Sequence, residues 1–255
     1  MRLSIIILAA GQGKRMGSDL PKVLQPLANK PLLSYVISCS KDLGAADICV
    51  VYGHGGDQVK AVITESSLRW VLQAEQLGRG HAVMQAAPET ADENLAMVLY
   101  GDVPLLKPDT LRQMIDVCSD GDAAVLTVDM DDPFGYGRII RDNGNVVRSV
   151  EQKDATEEEQ EIQEINTGVF CCPAGKLKNW LARLDNDNNQ GEYYLTDVIG
   201  IAISDGATVH GIKAESWEEI MGINDKTQLA LAERALQLRH AAALSTKGLC
   251  HPLPR

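Results

Sequence analysis

Short apolar runs recur through the first hundred residues and end close to glycines. Residues 5–8, 48–52 and 95–100 are almost wholly apolar, and a glycine follows each run within three positions. Apolar runs of this length, without polar alternation, are typical of parallel strands that are covered on both faces. We therefore expect buried strands here, each ending where the backbone can turn sharply.

Segments with helical spacing separate these strands. Pro31 and an apolar face predict a helix over residues 31–44, and further helices are expected over 57–64 and 80–87, with a short strand at 70–72. Strands that alternate with helices predict an α/β fold with a doubly wound, mostly parallel, Rossmann-like sheet. Ligands of such sheets bind beyond the carboxyl ends of the strands. The glycine turns therefore lie where a binding site is expected.

The pattern changes from Phe134 onward. Residues 135–147 favour a small antiparallel hairpin that turns at Asn143-Gly144 and packs on the sheet. Residues 157–161 are a run of charged and polar side chains, which we interpret as the solvated face of a helix.

The last third of the chain is predicted to be helical. Apolar periodicity predicts a helix over residues 194–204 and one long helix over residues 225–244. Residues 245–255 have no periodicity and are expected to be a disordered tail. The chain therefore divides into one domain at 1–224, a long helix and a tail.

Charge and composition exclude several classes of partner. The chain has 24 Lys and Arg against 35 Asp and Glu, a formal net charge of −11, which opposes non-specific binding to nucleic acid or anionic lipid. No apolar run approaches the roughly 18 residues of a membrane helix. The six cysteines have no CxxC spacing, which is typical of buried thiols in a reducing compartment. We expect no nucleic-acid or membrane partner and a cytoplasmic location.

The turn after the first strand carries the strongest chemical signal. Gly11 and Gly13 allow the backbone to approach a ligand, so that successive N–H groups can hold phosphate. The turn is not a standard phosphate loop, because Met16 stands where the dinucleotide-binding motif has its third glycine. Arg15 and Lys22 supply cations for a triphosphate and a leaving pyrophosphate. The alternative is an ordinary strand-to-helix turn with solvated basic residues.

Asp102 lies just beyond the carboxyl end of the predicted strand at residues 95–100. A carboxylate oxygen is the ligand that Mg²⁺ prefers when it also holds substrate phosphates. Together with a phosphate-binding turn, Asp102 predicts metal-assisted nucleotidyl transfer, which needs positioning and charge neutralisation rather than a protein nucleophile. The alternative is that Asp102 only caps a turn.

A set of ordered motifs resembles the sugar-1-phosphate nucleotidyltransferases. The glycine turn has the pattern LxxGxGxRM, and Pro21-Lys22 follows it. Downstream motifs resemble the N-acetylglucosamine-1-phosphate uridylyltransferases of that family, and they lie at residues 73–78, 100–104, 135–138, 164–168 and 190–197. The resemblance covers most of the chain and implies a nucleotidyltransferase domain at residues 1–224 with a linker-type helix after it.

The resemblance also implies a reaction and a cofactor. UTP and N-acetylglucosamine 1-phosphate would give UDP-N-acetylglucosamine and pyrophosphate, with Mg²⁺ as the cofactor. Arg15 and Lys22 would be the catalytic residues that steady the phosphates. Asp102 and Asn224, which are far apart in the sequence, would ligate the metal ion.

The same resemblance implies a set of substrate-binding residues. Gln73 and Gly78 would read uracil, since an amide offers both a donor and an acceptor. Gly137, Glu151 and Asn166 would contact the sugar. The full implied set is Leu8, Ala9, Ala10, Gly11, Gly13, Lys22, Gln73, Gly78, Arg79, Tyr100, Gly101, Asp102, Gly137, Glu151, Asn166 and Asn224.

The chain departs from the family pattern in two ways. Family members usually have threonine where this chain has Arg79, and the added charge bears on nucleotide preference or affinity. Bifunctional members continue after the long helix into a left-handed β-helix of hexapeptide repeats with acetyltransferase activity. The sequence contains no such repeats, so we expect no acetyltransferase activity and no β-helix-driven trimer.

Two other hypotheses keep part of this picture. The same fold could transfer another nucleotide or use another sugar phosphate, for example as a CTP-dependent cytidylyltransferase. The chain could instead be a nucleotide-binding module without catalysis. The presence of Arg15, Lys22, Asp102 and Asn224 argues against that module, because a site without catalysis has no chemical need for all four.

Overall fold

Nine strands of the described part of the chain form one sheet at the centre of the fold. The structure is a computed structural model that describes residues 1–11, 13–53, 55–118 and 121–246. In chain order the strands are β1 Leu3–Ala9, β2 Pro26–Leu27, β3 Lys30–Pro31, β4 Asp47–Tyr52, β5 Leu68–Leu72, β6 Leu95–Tyr100, β7 Ala123–Asp129, β8 Gly137–Asp142, β9 Asn145–Val150, β10 Glu164–Pro173 and β11 Val209–Lys213. Strands β2 and β3 form a separate two-stranded ribbon.

The main sheet is mostly parallel, as predicted. Its order is β11-β7-β10-β6-β1-β4-β5. Strand β1 pairs in parallel with β4 and β6, β4 pairs in parallel with β5, and β7 pairs in parallel with β11. Strand β10 is antiparallel to both β6 and β7, and it also pairs with β8 of the β8–β9 hairpin. The reversed strand β10 therefore connects the hairpin to the sheet.

Helices are interspersed between the strands. In chain order they are α1 Leu32–Asp42, α2 Gly56–Val62, α3 Arg79–Ala86, α4 Pro108–Val117, α5 Glu157–Gln160, α6 Ala174–Leu181, α7 Asp197–Ser204, α8 Trp217–Ile220 and α9 Lys226–Thr246. Single turns of 3₁₀ helix lie at Lys14–Met16, Lys22–Leu24 and Ala87–Glu89. Every residue of β1 and β6 is buried, so both faces of the central strands are covered.

A second, smaller core lies under the terminal helix α9. Its buried members come from β2, α1, the segments after β6 and α8, and α9 itself. We call it the terminal-helix cluster: Leu27, Leu32, Leu105, Met221, Ile223, Ala232 and Leu236. This cluster joins the end of the described chain to its first forty residues.

Most of the predicted elements are confirmed within about two residues. Strands β1, β4 and β6 and helices α1 and α3 lie where the apolar pattern predicts them, and the hairpin turns at Asn143-Gly144. Helix α7 begins at Asp197 rather than at residue 194, because the carbonyls of residues 194–196 accept i→i−3 turn bonds instead of α-helical bonds. Several elements lie outside the predicted ones, namely strands β2, β3, β7 and β11 and helices α4, α6 and α8.

The chain termini differ slightly from the prediction. Helix α9 continues to Thr246, two residues beyond its predicted end. The rest of the predicted tail, residues 247–255, lies outside the described residues. Within the described ranges, no helix is long and apolar enough to cross a membrane.

Candidate active site

Two neighbouring cavities open at the carboxyl edge of the sheet. The first has a volume of about 250 Å³ and the second about 260 Å³, and both are lined by Arg79, Tyr100 and Glu192. The first is also lined by Leu8, Ala9, Ala10, Gly11, Lys22, Val23, Gln73, Gln76, Gly78, Ala82 and Asp102. The second is also lined by Gly135, Glu151, Gln190, Tyr194, Leu195 and Thr196. The two cavities lie where an open α/β sheet binds its ligands.

The backbone that follows β1 forms one wall of the first cavity. Residues 8–11 line it, and Gly13 has a φ of 63°. A Cβ atom at Gly13 would lie 2.6 Å from the Cβ atom of Lys22, so only glycine allows this approach. Arg15, the other predicted phosphate-binding cation, is exposed and does not line either cavity.

Lys22, Asp102 and Asn224 meet at the edge of the first cavity. The Nζ atom of Lys22 forms an ion pair with Asp102 and donates a hydrogen bond of 3.0 Å to Oδ1 of Asn224. Asn224 is held in turn by a 3.0 Å bond from its Nδ2 to the Gly222 carbonyl. The Ile223 N–H donates to the Asp102 carbonyl at 2.9 Å. Residues 202 positions apart in the chain are therefore in direct contact.

This arrangement offers two oxygen ligands to a cation. The Asp102 carboxylate and the Asn224 amide oxygen contact the same ammonium nitrogen. Such oxygens suit Mg²⁺, which takes one or two protein ligands and completes its shell with water and substrate phosphates. Among the residues that the structure describes, no group of three or more His, Cys, Asp or Glu could hold a metal. The donor set fits a Mg²⁺ ion that binds together with phosphate.

Gln73 has its amide fixed inside the first cavity. The side chain is buried, and its Nε2 atom donates 3.1 Å to the Gly78 carbonyl and lies 3.2 Å from Nδ1 of His81. His81 is held on its other side by Gln85, at 3.1 Å from Nε2. Because one amide hydrogen is donated to the Gly78 carbonyl and the amide nitrogen faces His81, Oε1 is the group that Gln73 can offer to a ligand.

Gly78 lies on the rim of the first cavity, immediately before α3. It precedes α3 with φ 100° and ψ 176°, a conformation that essentially only glycine adopts. A Cβ atom there would lie 2.8 Å from the Tyr193 carbonyl and 2.9 Å from the Cβ atom of Glu192. The N–H of Gly80 donates to the same Tyr193 carbonyl at 2.8 Å. The start of α3 is thus packed against the segment that separates the two cavities.

Of the three residues predicted to contact a sugar, Glu151 lines the second cavity, and Gly137 and Asn166 lie near it. Glu151 lines it and accepts a 2.9 Å hydrogen bond from Thr196. Gly137 pairs with Asn166 across β8 and β10, and a Cβ atom at Gly137 would lie 3.7 Å from Oε2 of Glu151. Asn166 is buried, donates 3.0 Å to Ser149, and lines a small adjoining cavity rather than the second cavity itself.

Charged and aromatic groups form the wall shared by the two cavities. The guanidinium of Arg79 lies over the ring of Tyr100, 5.2 Å from its centroid. The Tyr100 hydroxyl is buried and has no hydrogen-bond partner in the described part of the chain. Burial raises the pKa of this hydroxyl, so it stays neutral at physiological pH.

Gly101 was predicted to bind substrate, but it lines neither cavity. Its N–H donates to the Leu8 carbonyl at 2.9 Å.

Several residues that line the cavities were not predicted to bind substrate. Most of them belong to the motifs at residues 73–78 and 190–197, so membership of a motif was the signal in the sequence that could have identified them. These residues are Gln76, Gln190, Glu192, Tyr194, Leu195 and Thr196.

The sequence of the chain is similar to a known family and to curated relatives. Residues 5–190 match the MobA-like NTP transferase domain. Bifunctional protein GlmU of Acinetobacter baumannii, in strains AYE and ACICU, is 48% identical to the chain over 249 residues. The match covers 98% of this chain and 55% of the relative, so the chain spans about half the length of these curated relatives. The family resemblance predicted from the sequence is confirmed.

Solved structures share the fold. Apo UDP-glucose pyrophosphorylase aligns with a TM-score of 0.76 at 16% identity, and UDP-glucose pyrophosphorylase complexed with UDP-glucose aligns with a TM-score of 0.74 at 17% identity. Each alignment covers 94% of this chain and 100% of the other. At this level of identity the likeness concerns the fold alone. The match over residues 5–190 covers most of the chain, which therefore belongs to the MobA-like NTP transferase family.

Proposed function

We propose that the chain is a uridylyltransferase that makes UDP-N-acetylglucosamine and pyrophosphate from UTP and N-acetylglucosamine 1-phosphate. The observation that carries the proposal is the pair of cavities that share Arg79, Tyr100 and Glu192, with Lys22 and Asp102 beside the first. A nucleotide in the first cavity and a sugar phosphate in the second would meet at this shared wall. The similarity to GlmU of A. baumannii supports the same assignment.

The proposed chemistry is an in-line transfer. A phosphate oxygen of the sugar 1-phosphate attacks the α-phosphorus of UTP, a new P–O bond forms, and the bond between the α-phosphorus and the bridging oxygen breaks. Pyrophosphate leaves with that oxygen and its electron pair. The reaction needs no protein nucleophile, so the protein contributes position and fixed positive charge. Lys22, which lines the first cavity, is the side chain that supplies this charge to the phosphates.

Gln73 supports uracil as the base. Since its amide nitrogen donates to the Gly78 carbonyl and faces His81, Gln73 offers an oxygen acceptor to the ligand. Uracil has an N–H at ring position 3, which donates to such an oxygen, whereas cytosine has an unprotonated nitrogen there, which would face it unpaired. A base that leaves this buried acceptor without a donor loses binding free energy, so the acceptor discriminates strongly between the two bases. We therefore expect UTP to be preferred over CTP.

Asp102 and Asn224 would hold the Mg²⁺ ion. When bound, the ion neutralises phosphate charge and helps to orient the triphosphate. The Lys22 ammonium contacts the same two oxygens, so Lys22 leaves this position when it turns toward the phosphates. The sugar would lie against Gly137 and Glu151, where the carboxylate can accept hydrogen bonds from hydroxyl or acetamido groups. Asn166, which is bonded to Ser149, would support this wall.

Pyrophosphate release tests the proposal. The purified chain is mixed with Mg²⁺, UTP and N-acetylglucosamine 1-phosphate, and parallel reactions replace UTP by CTP or the sugar phosphate by glucosamine 1-phosphate or glucose 1-phosphate. Release confined to the first pair is expected. Clear preference for CTP or for another sugar phosphate would keep the family and correct the substrate. No release from folded protein with any pair would contradict an enzymatic role.

A further inference from the structure

Arg79 stands between the two cavities and lines both. Among the described residues that line the second cavity, Arg79 alone is positively charged, whereas Glu151 and Glu192 are negative. A doubly charged phosphate monoester that enters this cavity meets two carboxylates. Without Arg79, the local field would oppose its binding.

The Arg79 guanidinium has its donors free. Within the described residues it donates no hydrogen bond and forms no ion pair, and its one specific contact is with the ring of Tyr100. By contrast, the guanidinium of Arg141 donates hydrogen bonds of 2.8 Å and 2.7 Å to the two carboxylate oxygens of Glu164. A guanidinium that rests on an aromatic ring keeps its plane fixed while its N–H groups remain available for a planar anion.

The position of Arg79 in its helix does not favour stability. Arg79 is the first residue of α3, where the helix dipole is positive and a cation is unfavourable. Its side chain is exposed to the cleft, so it does not contribute a packed core contact either. The carboxylates of Glu151, Asp102 and Glu192 attract the guanidinium, but within the described residues none forms an ion pair with it, so its N–H groups can also bind an anionic ligand.

We propose that Arg79 binds the phosphate group of the sugar 1-phosphate and thereby selects a phosphorylated sugar as the second substrate. The inference rests on the proposed function, since it assumes that the second cavity receives the sugar. The guanidinium can donate two parallel hydrogen bonds to two oxygens of one phosphate. Because Arg79 lines both cavities, a phosphate bound to it would lie beside the nucleotide in the first cavity. Arg79 is thus a specificity-determining and positioning residue, distinct from Lys22, which lines the first cavity but not the second.

Calorimetry on the intact chain tests this role. The protein is saturated with Mg²⁺ and α,β-methylene-UTP, which cannot release pyrophosphate, and is titrated with N-acetylglucosamine 1-phosphate, glucose 1-phosphate or unphosphorylated N-acetylglucosamine. Arg79→Gln should raise the Kd of the sugar phosphates by about ten- to a hundredfold, the range for a lost charge-assisted hydrogen bond. Arg79→Lys should recover part of the loss, because it restores the charge without the fork.

Three controls separate binding from structure. Arg112→Gln removes an exposed arginine that lies in α4 and lines neither cavity, and should leave sugar-phosphate binding unchanged. Arg79→Gln should leave the weaker binding of N-acetylglucosamine and the binding of α,β-methylene-UTP nearly unchanged. Its free energy of unfolding should change little, because the lost contact with the Tyr100 ring and the removal of a cation from a helix N-terminus have opposite effects.

The outcomes separate this inference from the proposed function. An equal loss of nucleotide and sugar-phosphate binding, or no loss of either, would overturn the role of Arg79 while pyrophosphate release could still support the function. Arg79-dependent binding of glucose 1-phosphate alone would support the role and correct the substrate. If the unaltered chain binds no sugar 1-phosphate, both proposals fail.

Discussion

Lys22 is the residue on which the proposed chemistry depends most. Its ammonium contacts Asp102 and Asn224 and lines the first cavity. The oxygens of Asp102 and Asn224 form a compact site for one cation, and the Lys22 ammonium occupies it. A metal ion can replace the ammonium only if the ammonium finds another partner. In the proposed reaction that partner is phosphate, and the resident ion pair keeps Lys22 ordered beside the cavity before substrate arrives.

Lys22→Ala is predicted to lower kcat by roughly 10²-fold or more, the usual effect of losing a fixed charge next to a reacting phosphate. Pyrophosphate release at saturating UTP and sugar phosphate measures it. Lys41→Ala is the matched control, because Lys41 is half-exposed and pairs with Glu65 on the surface, where such pairs contribute little. A Lys22→Ala variant with near-normal kcat would refute the proposed role.

Sequence alone predicted the identity of many cavity residues but not their contacts. The motif resemblance named Lys22, Asp102 and Asn224, yet their convergence depends on a fold that brings together residues 80 and 202 positions apart. Arg15 belongs to the same motif as Gly13, but it is exposed. Neighbourhood in a motif does not fix side-chain direction, which is why Arg15 stays a prediction without structural support.

At the scale of the element, the start of α3 depends on Gly78. Gly78→Ala is predicted to lower the free energy of unfolding by roughly 1–3 kcal/mol for the backbone conformation alone, and further because the new Cβ would meet the Tyr193 carbonyl. UTP binding should weaken as well, since the Gly78 carbonyl holds the amide of Gln73. Chemical denaturation and calorimetry with UTP measure the two effects.

A matched glycine isolates the role of packing in this prediction. Gly44 follows α1 with a φ of 74°, and a Cβ atom there would meet nothing within 4 Å. Gly44→Ala should cost about 1–2 kcal/mol for the left-handed conformation and leave UTP binding unchanged. Equal effects of the two variants on UTP binding would argue against the role given to Gly78.

Helix α7 begins in a group of carboxylates. Burial, followed by the charges of Glu151, Asp185 and Asp154, raises the pKa of Asp197 to about 6. Folded protein therefore holds a proton on Asp197 between about pH 4 and 6, where the unfolded chain has released it. The free energy of unfolding should fall with rising pH across this window and then level off.

Asp197→Asn is predicted to remove part of that fall, so that the variant gains stability relative to the unaltered chain as pH rises from 4 to 6 and keeps the gain above pH 6. Denaturant unfolding across this pH range measures it. Asp109→Asn, in the first turn of α4, controls for the loss of a helix-terminal charge. Parallel pH curves for Asp197→Asn and the unaltered chain would contradict the raised pKa.

The elements themselves were predictable to different degrees. Strands β1, β4 and β6 were predicted because buried parallel strands are continuously apolar. The direction of β10 was not, since the buried run at residues 169–172 has the same composition whichever way the strand runs, and only pairing with β6 and β7 reverses it. The start of α7 was misplaced because the carbonyls of residues 194–196 accept i→i−3 turn bonds rather than α-helical ones, a difference that apolar periodicity does not reveal.

At the scale of the whole molecule, the net charge and the proposed substrates have the same sign. A formal charge of −11 repels UTP and a sugar phosphate at long range, but salt screens such repulsion beyond about 8–10 Å. Among the described residues that line the two cavities, Lys22 and Arg79 are the cations. If the proposed function holds, affinity for the two substrates depends on these local charges rather than on the field of the molecule.

The terminal-helix cluster links α9 to the site. Ile223 belongs to the cluster, donates its N–H to the Asp102 carbonyl and immediately precedes Asn224. Leu236, which is 5% exposed, packs into the same cluster from α9, whereas Leu238 is 40% exposed. Packing of α9 and position of the proposed metal ligand are therefore coupled through a few side chains.

Leu236→Ala is predicted to lower the free energy of unfolding by about 2–3 kcal/mol, the lower part of the range for a buried leucine, because the cluster is small and lies at the edge of the fold. Leu238→Ala should change it by less than about 0.5 kcal/mol. Denaturant unfolding of the two variants measures the difference. Where Leu236→Ala is still folded, a higher Mg²⁺ concentration should be needed for half-maximal pyrophosphate release, since Asn224 is less firmly held. If Leu236→Ala loses the expected stability but its Mg²⁺ requirement is unchanged, the packing of α9 does not affect the metal site and the role of the helix is structural only.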